Sequence, residues 1–142
     1  MSRASDLANV IASGSTDIVA EGTATTNLQQ GLAKAWVRYD GTSVTAEADL
    51  VGVGDSFNYS SVVDGGTGNY TFSFTNNMSS VNWSGSALGK HDNNSTNNAD
   101  NRQVILMYQI TASSFITLAS ESDAAILNDS ALGHNQVFGD LA

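Results

Sequence analysis

The chain has 142 residues and a formal net charge of −9, with 5 Lys or Arg against 14 Asp or Glu, a length that suits one modest hydrophobic core. Charged residues reach only 13%, Cys and Pro are absent, and 19 Ser, 12 Thr, 14 Asn and 13 Gly fill about 41% of the chain. That composition excludes a disulfide scaffold and a Cys-based zinc or redox centre, opposes nucleic-acid binding through phosphates, and holds no apolar run near the ~20 residues of a membrane-spanning helix. The start, Met1-Ser2-Arg3-Ala4-Ser5-Asp6, lacks the apolar stretch of a secretory signal, so a soluble β-leaning domain made without export is expected.

The first expected element is a helix from Asp6 to Ala12, capped by Ser5, with Leu7, Val10 and Ile11 on one face. At about two turns it cannot stand alone. Ser13 to Thr26 is rich in Gly, Ser and Thr around Asp17-Ile18-Val19-Ala20 and reads as an extended arm. Residues 1–26 are thus expected as a short helix and arm, and 27–142 as a β-domain.

From Leu32 the period becomes two. Ala33, Ala35, Val37 and Tyr39 share one face and Lys34, Trp36 and Arg38 the other, until Asp40-Gly41-Thr42 turns the chain. Val44 to Val53 is a weaker strand. Ser56 to Thr75 is the clearest element, a hairpin around Asp64-Gly65-Gly66-Thr67-Gly68, which supplies the positive-φ positions that a tight connection needs. Its alternation assigns Phe57, Tyr59, Tyr70, Phe72 and Phe74 to the core face of one sheet. Val81 to Leu88 reads as a strand with Val81, Trp83 and Gly85 on one side, Gly85 marking a bulge. Residues 89–101 form a polar loop. Arg102 to Thr111, with Val104-Ile105-Leu106-Met107-Tyr108, reads as a central strand, and Phe115 to Ala119 as its hairpin partner. Asp123 to Leu127 stays open between strand and short helix, and Gln136-Val137-Phe138 is the expected last strand. Short strands divided by Gly, Asn and Ser turns predict an all-β antiparallel sandwich or barrel-like domain.

No motif carries chemistry. Asp92 to Asp100 offers carboxylate and amide oxygens but lacks the sixth-position Gly and closing Glu of a helical calcium loop. His91 and His134 stand far apart in polar surroundings, and the Gly-Gly-Thr-Gly run at 65–68 precedes a strand where a phosphate loop would precede a helix. No catalytic, cofactor-binding or metal-binding residue is assigned, no cofactor is expected, and the chain is not read as an enzyme. Trp36 and Trp83 are the residues singled out. They are either half-buried sheet packing or aromatic contacts at a subunit interface or with a glycan.

Ser2 to Ala8, the stretch Asn27-Leu28-Gln29-Gln30-Gly31-Leu32-Ala33-Lys34-Ala35-Trp36-Val37-Arg38-Tyr39-Asp40-Gly41-Thr42, the hairpin from Asp55-Ser56-Phe57-Asn58 to Phe72-Ser73-Phe74, and the end Val137-Phe138-Gly139-Asp140-Leu141-Ala142 cover about half of the chain. In these segments it resembles small bacteriophage virion surface proteins of the tail-fibre or head-decoration type, best known from marine phages. The resemblance implies a β-rich virion component, homotrimeric, in contact with other virion proteins and assembled in the host cytoplasm, with no catalytic residue to carry over. The sequence therefore points first to a tail-fibre or tail-tip module that contributes to assembly and host attachment through surface glycans. Two alternatives stand beside it, a capsid decoration or cement protein and a carbohydrate-binding module.

Overall fold

Alternation of apolar and polar residues decides most of the strands. The computed structural model describes residues 17–19, 25–27, 32–90, 102–108, 110–121 and 126–142, divided into two units, Met1–Leu32 and Ala33–Ala142. In the first unit, β1 (Asp17–Val19) pairs antiparallel with β2 (Thr25–Asn27), so part of the expected arm is a two-stranded ribbon. The expected helix at Asp6–Ala12 and the Asp92–Asp100 loop lie outside the described residues.

The second unit is all-β, and no helix occurs among its described residues. Its strands are β3 (Ala35–Tyr39), β4 (Val53–Phe57), β5 (Tyr59–Asp64), β6 (Asn69–Phe74), β7 (Ser84–Lys90), β8 (Arg102–Tyr108), β9 (Ser114–Glu121) and β10 (Leu132–Phe138). They form one antiparallel sheet in the order β4-β3-β10-β7-β8-β9-β6-β5, curled into a nearly closed barrel. The barrel alternative is therefore the one realised.

Closure depends on a single corner. β4 and β5 occupy opposite edges of the sheet, yet only Asn58 separates them in sequence. Asn58 takes φ 62, a left-handed conformation that Asn tolerates better than most residues. Its side chain locks the corner. Nδ2 donates to the carbonyls of Lys34 (3.1 Å) and Asn76 (3.0 Å), and Oδ1 accepts from the Asn76 backbone N–H (2.7 Å). The free edge of β5 is then covered by the β3–β4 connection, with Val62 N–H donating to Asp49 O and Asp64 N–H to Thr45 O, both at 2.7 Å.

That corner overturns one expectation. Phe57 does not join Tyr59 in the core: it ends β4 pointing outward, 50% exposed. A register shift between Tyr59 and Ser61 then makes Val62 the buried valine. The weak strand at Val44–Val53 is instead an irregular connection with one bridge, Asp49 to Val62. Trp83 precedes β7 and lies in the core, and Gly85 stays in regular register with Val137 without a bulge. The last strand starts four residues before Gln136, because β3 and β7 flank it on both sides and supply its hydrogen bonds.

The interior is packed with rings. Phe72 stacks on Phe115 (5.1 Å between centroids, 13° between planes), Trp83 meets Phe74 and Phe115 edge-on, and Tyr39 meets Tyr70 and Phe72 the same way. Small residues leave room for them: a Cβ on Gly133 of β10 would overlap the Tyr39 ring. One end is covered by residues 128–130. Asp129 Oδ1 accepts from Gly68 N–H and from the Tyr70 hydroxyl at 2.7 Å each, and Gln103 Nε2 donates to Asn128 O (2.9 Å). At the other end the chain terminus is tied down by Ser79 N–H donating to Asp140 O and Ala142 N–H to Asn77 O.

Asn58→Gly keeps the left-handed backbone and removes the amide, whereas Asn58→Ala removes both. With about 1 kcal/mol for each of the three hydrogen bonds and about 1–2 kcal/mol for a left-handed non-Gly residue, Asn58→Ala is expected to lose about 4–5 kcal/mol in denaturant unfolding and Asn58→Gly about 1–2 kcal/mol less. Equal stability of the two variants and the parent would contradict the corner's role.

The core tyrosines give a second expectation. Burial pushes the Tyr39 hydroxyl up to about 12 from the usual 10, while the nearby Thr117 and Ser130 hydroxyls pull the other way without completing a hydrogen bond to it. Tyr59 is raised further by burial and then by Tyr39 beside it, and Tyr70 by burial and then by the Asp129 carboxylate. A folded-state pKa above the unfolded one means stability that is complete below about pH 10 and falls as pH rises through the folded value. For Tyr39 that loss amounts to about 3 kcal/mol between pH 10 and 12. Unfolding titrations at stepped pH should show the decline, and Tyr39→Phe should make its slope shallower.

Candidate functional site

The buried rings and aliphatic side chains of β3, β5, β6, β9 and β10 pack on one another, and the candidate surface is on the outside. β3 runs buried-exposed-buried-exposed-buried, which sends Ala35, Val37 and Tyr39 inward and Trp36 and Arg38 outward. Antiparallel register then sets their neighbours. Trp36 is opposite Phe57 on β4 and Gln136 on β10, and Arg38 is opposite Asp55 on β4 and His134 on β10.

These side chains line a shallow cleft of ≈ 300 Å³, with Trp36, Arg38, Asp55, His134 and Gln136 on its walls. Arg38 also borders a second cleft of ≈ 260 Å³ that includes Asp40, Ser43, Gly52 and Gly54. Gly54 is what admits the guanidinium, since a Cβ there would sit 2.5 Å from Arg38 Nη1. Neither acidic neighbour is turned to Arg38. Asp55 Oδ1 accepts from Ser56 N–H (2.8 Å), and Asp40 Oδ1 accepts from the Thr42 N–H (3.0 Å) and hydroxyl (2.6 Å).

Chemically this is a recognition surface. An exposed indole and phenyl ring offer apolar faces, and a guanidinium, an imidazole, an amide and a carboxylate offer hydrogen bonds around them. It is not arranged as a catalytic pair, because His134 and Asp55 sit on strands that flank β3 on opposite sides, about 10 Å apart at the usual strand spacing. Among the described residues no group of three or more His, Cys, Asp or Glu could hold a metal ion, and no helix is long and apolar enough to cross a membrane. The glycine run at 65–68 is the hairpin turn expected from the sequence. Gly66 has φ 111 and Gly68 φ 67, and the N–H groups of Gly65, Gly66 and Gly68 are taken by Asn69 O, Asp64 and Asp129.

The two tryptophans part company. Trp36 is on the outer cleft and 38% exposed, whereas Trp83 is 8% exposed, packed on Phe74 and Phe115, with its indole N–H donating to Thr111 O (2.9 Å). A role for Trp83 as an exposed contact is thereby corrected: the second outward ring is Phe57. The alternation of Lys34, Trp36 and Arg38 located the β3 part of this face. Phe57, Asp55, His134 and Gln136 reach it through pairings 17 to 100 residues away in sequence, which no local pattern encodes.

A second outer face is apolar. Leu88, Val104 and Leu106 are 72%, 44% and 57% exposed, and Ile116 and Leu118 continue the patch across β9. The continuous apolar run of β8 thus splits, with Ile105 and Met107 packed on the core and Val104 and Leu106 facing out. β7 and β8 pair only at Gly89↔Gln103 and Lys90↔Arg102, so their backbones diverge beneath this patch.

No family model, curated protein or solved structure matches the chain. The difference between the tryptophans is directly measurable. Trp83→Ala should cost about 3–5 kcal/mol through the cavity it leaves, and Trp36→Ala about 1 kcal/mol or less. Denaturant midpoints of the two variants decide the ordering, and only Trp36 substitutions are suited to binding assays.

Proposed function

We propose that this chain is a non-enzymatic structural module of a bacteriophage virion, displayed on the particle surface at the tail fibre or tail tip, where it contributes to assembly and host attachment. The observation that carries this reading is the outer face of β4, β3 and β10: two exposed rings and an arginine held on rigid strands over a filled core. Sites built on strands of a closed barrel hold their geometry with little ordering cost on binding. The β-rich fold and the composition, poor in charge and rich in Ser, Thr and Asn, accord with the resemblance noted in the sequence. On this reading the partners are further copies of the chain in a homotrimer, neighbouring virion proteins and a glycan of the host surface.

A second reading, capsid decoration, is favoured by the apolar face of Leu88, Val104, Leu106, Ile116 and Leu118. A patch of that kind marks a protein contact, and a cement protein needs broad contact with its lattice. Copy number separates the two placements. Native mass measurement of the particle beside the purified chain should give few copies, consistent with a tail structure; hundreds would exclude the tail. In parallel, the purified chain in excess should reduce adsorption of particles to host cells, and Trp36→Ala should lose that competition. Full competition by the variant would remove the role given to this face.

A further inference from the structure

We propose that the face formed by β4, β3 and β10 binds an oligosaccharide carrying a single carboxylate, with the acid group on Arg38 and a neutral sugar ring stacked on Trp36 beside Phe57. This rests on the attachment reading and specifies its ligand. The aromatic half is set by register. Trp36 and Phe57 are direct cross-strand partners, 38% and 50% exposed, and together they present an apolar strip to which the C–H face of a sugar ring is complementary.

The acidic half follows from Arg38. Asp40 Oδ1 accepts from the Thr42 N–H of its turn and Asp55 Oδ1 from the Ser56 N–H within β4, and among the described residues no ion pair holds the guanidinium. Its planar fork matches a carboxylate through two parallel hydrogen bonds. Gly54 leaves the space in which it lies, and so places it where the two clefts meet. His134 and Gln136 border the same cleft from β10 and can serve sugar hydroxyls.

The net charge of −9 limits how acidic the ligand is. A densely charged polymer meets the repulsion of the whole chain. One carboxylate on a neutral oligosaccharide responds to the guanidinium beside it, because more distant charges are screened beyond about 8–10 Å. Isolated acidic units on neutral chains are therefore the ligand class.

The experiment titrates the full chain with a panel of oligosaccharides that each bear one uronic acid, and with a carboxyl-reduced copy of each. Binding is followed by tryptophan fluorescence, whose responsive member is the exposed Trp36, with Trp36→Phe as the control for that assignment. At least one acidic member should bind about tenfold or more tightly than its reduced copy, the size expected for a charge-assisted hydrogen-bond pair. Arg38→Ala should bring the acidic member down to the level of the reduced copy without lowering the melting temperature, and Arg38→Lys should restore it only in part. Gly54→Ala should weaken the acidic member alone. Equal affinity for acidic and reduced forms, or an unchanged Arg38→Ala, overturns the proposal while leaving attachment through neutral sugars in place. Failure of every panel member at millimolar concentration also overturns it, and the adsorption competition then judges the attachment reading separately.

Discussion

The whole β-domain turns on the requirement that a sheet of eight strands close with one residue between its two edges. Asn58 meets it by combining a left-handed backbone with an amide that bonds to Lys34 on one side and Asn76 on the other. In an unbroken strand Phe57 and Tyr59 would point the same way. The corner separates them, turning Tyr59 into the ring cluster and Phe57 out beside Trp36. The interaction that closes the barrel therefore also supplies half of the aromatic surface.

Packing explains why the candidate site is on the exterior. Tyr39, Tyr59, Tyr70, Phe72, Phe74, Trp83 and Phe115 fill one side of the interior. On the other side no residue of β7 is fully buried: Met107 lies over Gly85, and Ile105 and Gln103 over Gly89, partly buried beside the ring cluster. An eight-stranded barrel is just wide enough to be filled by side chains, and here the large rings do most of that filling. The arrangement has a polar cost. The Tyr39 and Tyr59 hydroxyls and the Asn135 amide are buried without a hydrogen-bond partner among the described residues, and such groups cost about 1–3 kcal/mol each.

The parts legible in the sequence were those governed by local alternation and turn chemistry. β3, the β5–β6 hairpin around Gly66 and Gly68, and the β8–β9 hairpin all follow from period-two patterns bounded by turn residues. What stayed hidden depended on events that reset the pattern or join distant segments. The positive φ of Asn58 and the shift between Tyr59 and Ser61 each change which parity faces inward, so Phe57 was assigned to the wrong environment. Trp83 carried no reliable signal, because it precedes its strand and its burial is decided by Phe74, Phe115 and the Thr111 carbonyl. The cleft was half legible: Trp36 and Arg38 belong to one strand, but His134 and Asp55 join them through two different sheet neighbours.

The order of strands also relates the two outer faces. β3, at the centre of the polar aromatic face, is separated from β8, which carries Val104 and Leu106, by β10 and β7. Three steps around a nearly closed barrel of eight strands is about 135°. Contacts made through Val104, Leu106, Ile116 and Leu118 can therefore be buried against a neighbouring protein while Trp36, Phe57 and Arg38 still face solvent, with Leu88, the cross-strand partner of His134, between the two faces. The guanidinium, by contrast, occupies the sector whose clefts remain open. The apolar residues of β8 and β9 and the cleft of β4, β3 and β10 thus occupy different strands of one small barrel.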